Sequence, residues 1–364
     1  MLSIVAAIIK VPEAFFTRYP VEACTALSSI SDISDLLRRL LDGGHSVIAG
    51  RLAGAFRHMG RERFADEIIS AMKTALYDVR ETNPFVSANV RISTITSVSP
   101  ITIRMKALWD SMREVIITEF PQPPGLADDR DSYLRHLESS YVQDAYHSLS
   151  IEGYNVTGEL IERVSSGDWN PEQNELDRQN RDALAARGYW QAFQLVKDAV
   201  DKILEGENPS SIVRIAHMDW YRELFQPCAV AGLIPITDLA GYRNAPVFLK
   251  SSRHVPPRSE VVSDAMSTIF DLLECETESA VRAVLGHWLI GYIHPYMDGN
   301  GRIARFVMNV MLASGGYPWT IIHSDDRTRY MSCLEKASVE SDIQPFVSFI
   351  AEQLSGKTDD NPSM

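Results

Sequence analysis

No stretch of the chain approaches the ~20 consecutive apolar residues that a helix needs to cross a bilayer, so no membrane-spanning helix is expected within it. Cysteine is scarce and scattered. Cys24, Cys228, Cys275 and Cys333 form neither a CxxC pair nor a dense framework, so the fold depends on no zinc knuckle and no disulfide scaffold. Positive charge is in deficit, with 35 Lys and Arg against 48 Asp and Glu and a net charge of -13. That balance excludes a whole-surface affinity for nucleic acid or anionic lipid and leaves room only for a local basic patch. Biased tracts and internal repeats are missing as well. The first nine residues are apolar apart from Ser3, but no basic segment precedes them and Lys10-Val11-Pro12 stands where a small-residue cleavage site would be. The expectation is a cytoplasmic protein, with export by a signal-less route left open.

What is present is helical patterning. At 364 residues, with 45% hydrophobic and 23% charged side chains, the chain can bury a sizeable core and has room for two domains, or for one with an appendage. Between Ser46 and Tyr77 the residues Val47, Leu52, Ala55, Phe56, Met59, Phe64, Ile68, Met72 and Leu76 recur at helical steps. Asp42-Gly43-Gly44 separates them from a preceding LLRRLL helix. Asn83-Pro84 closes that stretch. The β-branched run VRISTITSV at 90–98 predicts a strand, followed by a helix through Trp109, Met112 and Ile116. PQPPG at 121–125 is a stiff linker signal. The expected organisation is a helical module over 1–120, a Pro-rich linker over 121–127, a second domain over 128–355 and a polar tail over 356–364. In the second domain the pattern predicts helices over 131–150, 178–204, 210–225, 259–273, 278–293 and 300–314. One segment departs from this: GYRNAPVFLKSSRHVPP at 241–257 reads as a projecting hairpin.

The chemistry concentrates in HPYMDGNGRIAR at 294–305. The apolar helix before it, with Val281, Val284, Leu285, Trp288, Leu289 and Tyr292, must stop at His294 because Pro295 disfavours helix in the residue before it. A second apolar helix begins after the loop and ends at Gly315-Gly316. Glycines on both sides of Asn300 bring backbone amides close to a ligand, and the second helix points its positive end into the same loop, which together suit phosphate. Arg302 and Arg305, three residues apart, project from one side of the first turn and suit forked contacts with phosphate oxygens. Asp298 suits a Mg²⁺ or Mn²⁺ ion bridging phosphates. His294 has the near-neutral pKa of a general base for an attacking hydroxyl. Taken singly, these residues read as helix caps, turn glycines and solvated arginines; their joint order favours nucleotide chemistry.

This run resembles the signature of the Fic family, HxFx(D/E)GNGRxxR, at every fixed position except Tyr296, which replaces Phe and keeps an aromatic anchor. The resemblance extends over most of 130–350, taking in the family's flap hairpin at 241–257 and its closing helices at RTRYMSCLEKASVESDIQPFVSFI. It implies a mainly α fold, a Fic-type helical bundle with a short β-hairpin flap. To this is added the small, mostly helical N-terminal module. It also implies a protein adenylyltransferase, moving AMP from ATP to a Ser, Thr or Tyr hydroxyl of a target protein or of itself. By position, His294 would be the base and Asp298 the metal ligand. Gly299, Asn300 and Gly301 would form the anion hole, Arg302 and Arg305 the triphosphate grip, and Ala245, Pro246, Val247 and Phe248 the target-binding flap. Fic-like toxins that phosphorylate instead tend to carry Lys at the position of Gly301.

Upstream, SLSIEG at 148–153 is similar to the family's inhibitory motif (S/T)xxxE(G/N), with Ser148, Glu152 and Gly153 on its fixed positions. The resemblance implies autoinhibition by Glu152 pairing with Arg305 in the class with an N-terminal inhibitory helix. The same site suits removal of AMP from a modified protein, since a glutamate there orients a hydrolytic water as well as it blocks ATP, or use of another nucleotide or a phosphocholine donor. From another class comes a nucleotide-sensing regulator whose arginines 38, 39, 51, 57, 61 and 63 contact nucleic acid; the ordinary reading of those arginines is a solvated helix face. A pure sensor has no need of His294. His287, His217 and Trp220 read as helix core, and His254 as part of the flap's base. A homo-oligomer is compatible with the sequence.

Overall fold

The computed structural model describes residues 3–85, 99–126, 129–167 and 181–354. In the N-terminal part the helices are α1 (Ile4–Lys10), α2 (Ala14–Arg18), α3 (Pro20–Ser28), α4 (Ser34–Asp42), α5 (Ser46–His58) and α6 (Glu62–Thr74). Next come α7 (Pro100–Glu119), α8 (Arg130–Ser139), α9 (Tyr141–Ile151), α10 (Gly158–Ser166), α11 (Arg181–Leu204) and α12 (Pro209–Val230). The chain closes with α13 (Val262–Cys275), α14 (Ser279–Ile293), α15 (Asn300–Ala313), α16 (Arg327–Glu340) and α17 (Gln344–Leu354). Among the described residues there is no β-strand. The strand expected over 90–98 lies outside the described residues.

The helix boundaries follow local chemistry. Asn208 caps α12 by accepting from the amides of Ser210 and Ser211, each at 3.0 Å, with Pro209 at the first position, where its missing N–H costs nothing. Thr157 and Asp129 cap α10 and α8 in the same way. The single helix expected over 131–150 is two, broken at Ser140, whose hydroxyl turns back to the Leu137 carbonyl at 2.7 Å. Helix α12 runs past its expected end and carries Pro227 in its last turn.

Two pairs form the centre. Helices α11 and α12 pack along their length, and Gly188 lets them close: a Cβ there would stand 2.1 Å from the Leu224 carbonyl oxygen. Helices α14 and α15 pack on each other and are buried almost throughout, as expected of helices apolar on all faces.

The N-terminal helices share this core. Helix α7 packs against α13, α14 and α17, α6 against α12, and α4 against the short turn at Ile236–Ala240, so one apolar cluster runs from Ile8 to Ile350. The Pro-rich stretch is no free spacer either: Gly125 donates to the Gly315 carbonyl at 3.1 Å and the Tyr317 hydroxyl donates to the Pro121 carbonyl. Nor do the six arginines make a basic face. Arg38 donates to the Tyr242 carbonyl, Arg51 to that of Val11, and Arg61 to those of Leu27 and Ile30. Arg57 pairs with Asp66 and Glu81, Arg63 with Glu67, and Arg39 with Asp35.

Two core histidines are held neutral. His217 donates Nδ1–H to the Val213 carbonyl at 3.0 Å, which leaves Nε2 to accept the Tyr242 hydroxyl at 2.9 Å. His287 stands 2.7 Å from the Tyr330 hydroxyl and stacks on Phe346. Burial lowers both to about 3. Their folded pKa lies below the unfolded ~6.5, so on acidification the unfolded chain takes up protons that the folded chain refuses. The contribution of each is complete above the unfolded value and falls by about 1.4 kcal/mol per pH unit as pH drops from there toward the folded value. Calorimetric melting between pH 8 and pH 4.5 should show the midpoint falling below pH 6.5, and His217→Gln should make that fall shallower.

Candidate active site

The loop between α14 and α15 is built by backbone constraint. Helix α14 ends at His294, which adopts the left-handed conformation (φ 53, ψ 61) with its amide still bonded to the Ile290 carbonyl at 2.8 Å. Tyr296 then turns inward, fully buried and stacked 4.1 Å from Tyr221. Asn300 closes the loop: its side-chain oxygen accepts the Tyr296 amide and its side-chain nitrogen donates to the Tyr296 carbonyl, both at 2.9 Å. The Asn300 side chain is therefore engaged by the loop itself, and what this residue offers a ligand is its amide at the helix start. Gly299 sits at φ 82, and a Cβ there would meet the Phe225 ring at 2.6 Å, so both conformation and space demand glycine.

The charged groups converge on the first turn of α15. Arg302 is 1% exposed, lies over the rings of Phe225 and Tyr154 at 4.8 and 5.4 Å, and has Asp298 3.5 Å from Nη2. Among the described residues its Nε and Nη1 have no hydrogen-bond partner, an uncommon state for buried donors and one that an anionic ligand would relieve. Arg305 is buried too, but engaged: Nε donates to Ser148 Oγ at 3.0 Å, and Nη2 to the Ser148 carbonyl at 3.1 Å and to Glu152 Oε1 at 2.7 Å. Ser148 and Glu152, singled out from a separate motif, thus meet the second arginine of the signature in space. Burial would raise the Glu152 carboxyl, but Arg305 and then Arg302 outweigh it and hold it below its ordinary value. Burial would likewise depress Arg305, and Glu152 more than restores it.

Helix α9 presents these groups because Gly153, at φ 86, stops it, and the Tyr154 amide returns to the Leu149 carbonyl at 3.1 Å. Arg327 donates to the Ile151 carbonyl at 2.8 Å and fastens the same end. One and two turns before Glu152 come Ser148 and Asp144, on one face. Asp144 was not singled out from sequence. It is buried, accepts the Tyr189 hydroxyl at 2.7 Å and is raised by burial to about 6. A buried acid at this spacing was the available signal. Gly301 faces the same carboxylate: a Cβ there would fall 2.3 Å from Glu152 Oε1 and 3.1 Å from Arg305 Nη1.

His294 stands half-buried beside this cluster. Burial first, and then the Arg243 guanidinium, lower its imidazole to about 4, so it is neutral and able to accept a proton near pH 7. Asp298 is exposed. Its Oδ1 accepts the Gly299 amide at 2.6 Å, and among the described residues no cluster of three or more His, Cys, Asp or Glu is placed to hold a metal. A lone loop carboxylate fits a cation that takes its other ligands from substrate phosphates and water.

The flap residues Ala245, Pro246, Val247 and Phe248 form an extended arm rather than half of a hairpin. Over 241–257 no strand ladder forms: the two arms are held by the helical body and by side chains, among them Arg243, rather than by backbone pairing with each other. Phe248 is 79% exposed. Among the described residues the backbone of Val247 and of Phe248 enters no hydrogen bond. The returning arm is pinned: Glu335 accepts the Arg253 amide at 2.8 Å and the Ser252 hydroxyl, and His254 donates to the Tyr292 carbonyl at 2.8 Å. Between Leu249–His254, α14 and α16 opens a cavity of about 930 Å³ with Glu152, His294 and Arg305 at its edge.

The sequence model of the Fic/DOC family matches residues 217–312. A protein named protein adenylyltransferase Fic from Nematostella vectensis is 29% identical over 221 residues, 60% of this chain and 48% of the relative. One of the same name from Drosophila virilis is 28% identical over 248 residues, 67% of this chain and 47% of the relative. The chain spans about half the length of these curated relatives. Among solved structures, Fic-1 (aa134–508) from C. elegans superposes with a TM-score of 0.50 at 17% identity, over 97% of this chain and 95% of the other, a likeness of fold. No described helix is long and apolar enough to cross a membrane. Residues 217–312, with the loop between α14 and α15 among them, thus match the Fic/DOC family.

Proposed function

We propose that the protein transfers AMP from ATP to a hydroxyl of a target protein, or of itself, and that Glu152 restrains it at rest. The observation that carries this reading is the pair of buried guanidiniums at the first turn of α15: one lacks partners at Nε and Nη1, and the other is bonded to a carboxylate. Buried arginines in that position call for a polyanion, and the amides opening α15 face the same way. The neighbouring cavity has the volume of a small-molecule site. The relatives' name, protein adenylyltransferase, supplies the reaction.

In the proposed reaction the target hydroxyl oxygen attacks the α-phosphorus, forming the new O–P bond. The bond to the bridging oxygen of the β-phosphate breaks and pyrophosphate leaves. His294 takes the hydroxyl proton at an imidazole nitrogen. Arg302, Arg305 and the amides of Asn300, Gly301 and Arg302 hold the phosphates, and Asp298 would hold a Mg²⁺ or Mn²⁺ ion, whose chemistry when bound is to neutralise phosphate charge. The unbonded backbone at Val247 and Phe248 suits pairing with an extended target segment.

Restraint follows from occupancy. Glu152 takes Nη2 of Arg305, a donor that a γ-phosphate would need, and its charge repels phosphate from the same place. Removing it should raise ATP affinity by roughly 5- to 150-fold, the usual range of such couplings, and raise turnover as well. With α-labelled ATP and Mg²⁺, Glu152→Gly should label itself or a lysate strongly and wild type weakly, whereas His294→Ala in the Glu152→Gly background should lose about 10²–10⁴-fold. Glu152→Gly that binds ATP normally and transfers nothing would sink the reading.

The base works only when unprotonated, so the rate falls as pH drops through the folded pKa of His294. The rate–pH profile should therefore have its acid limb below the ordinary ~6.5 of a free imidazole, near pH 4; a profile without an acid limb would remove His294 from the role.

A further inference from the structure

The flap leaves the helical body at Tyr242 and returns at Pro257, and one side chain grips both ends. Arg243 is 2% exposed. Its Nη1 donates to the Ala245 carbonyl at 2.9 Å on the outgoing arm, and its Nη2 donates to the Pro257 carbonyl on the returning arm. The same guanidinium reaches α14: Nε donates to the His294 carbonyl at 2.7 Å, and Nη2 approaches the Ile293 carbonyl at 3.3 Å. The Arg243 amide adds a bond to the Pro295 carbonyl at 2.8 Å. All of these acceptors are backbone carbonyls, and two of them close α14, where the helix dipole favours a cation.

His294 needs such a hold. A non-glycine residue in the left-handed region costs about 1–2 kcal/mol and stays there only when its surroundings fix it. Here the carbonyls of His294 and of Pro295 are both held by Arg243, so the peptide that aims the imidazole and the arm that would carry the target share one anchor. Only a planar fork with donors in several directions satisfies carbonyls on three chain segments at once; a lysine ammonium carries the charge without that geometry.

We propose that Arg243 is a positioning residue for transfer, setting His294 and the flap in fixed register so that a hydroxyl held along Val247 and Phe248 meets the imidazole at one distance. The proposal rests on the adenylyltransferase reading of the site. Arg243 also contributes to keeping the imidazole neutral, against Glu152 and Asp298, which act in the opposite sense. A staple that merely holds the fold would weaken ATP binding and transfer alike.

The test compares Arg243→Lys and Arg243→Gln in the Glu152→Gly protein, with ATP affinity read by calorimetry and transfer read at saturating ATP. The expected result is ATP affinity within about twofold of the parent and transfer slowed by at least the ~10²-fold that misplacement of a reacting group costs, in Lys as well as in Gln. Separately, the imidazole of His294 is titrated by NMR in the wild-type chain and in Arg243→Gln, with His294→Gln assigning the signal. Its midpoint should rise in Arg243→Gln by about one pH unit on loss of the neighbouring cation. Transfer by Arg243→Lys at the parent's rate overturns the proposal, as does parallel loss of ATP affinity and rate. A silent Glu152→Gly parent speaks against the function instead, and the NMR midpoint then decides: an unmoved midpoint also overturns the proposal.

Discussion

Arg305 carries a full charge into the interior, and a buried guanidinium must be answered by an anion or by several oriented oxygens. Much else in the site is arranged around that demand. Helix α9 ends where it does so that Glu152 and the Ser148 hydroxyl reach Nη2 and Nε, and Arg327 fastens the same helix end from the other side. Arg302, one turn earlier, has the same demand only partly met, by aromatic faces and an exposed carboxylate at 3.5 Å. The two arginines thus divide the site between an anion supplied from within and an anion still to arrive.

The signature loop was legible because each of its residues answers a local need that sequence makes visible. Pro295 stops α14, glycine is forced at 299 by conformation and by the Phe225 ring, and the arginines share one helical face. Asn300 shows the limit of such reading: its residue type suits an anion hole, but its side chain closes the loop on Tyr296, and only coordinates reveal a bond to a residue four positions away. The flap failed as a hairpin for a related reason. β-type residues raise the tendency to extend, and pairing depends on what the two arms find nearby; here they find Glu335, Tyr292 and Arg243.

Domain organisation was harder still. PQPPG is stiff wherever it occurs, and stiffness does not separate a spacer from a strap laid along a surface. In this chain the segment is bonded to Gly315 and Tyr317, and α7 before it packs among α13, α14 and α17. The arginines of α4 to α6 misled in the opposite sense, because a helical projection displays charge without showing which carbonyls lie behind it. Arg38 reaches the carbonyl of Tyr242, whose hydroxyl is bonded to His217, so the N-terminal helices form the floor from which the flap rises.

The closeness of Gly301 to Glu152 sets a steric condition on both positions. The volume that the carboxylate occupies is the volume that any side chain at 301 would need, since the first carbon of that side chain would fall 2.3 Å from Oε1. Glu152 is the flexible party and would be the one to swing away. In this chain a larger residue at 301 therefore requires the Glu152 carboxylate to shift from its present place beside Arg305. Glycine at 301 is thus what leaves room for a resident carboxylate in front of Arg305.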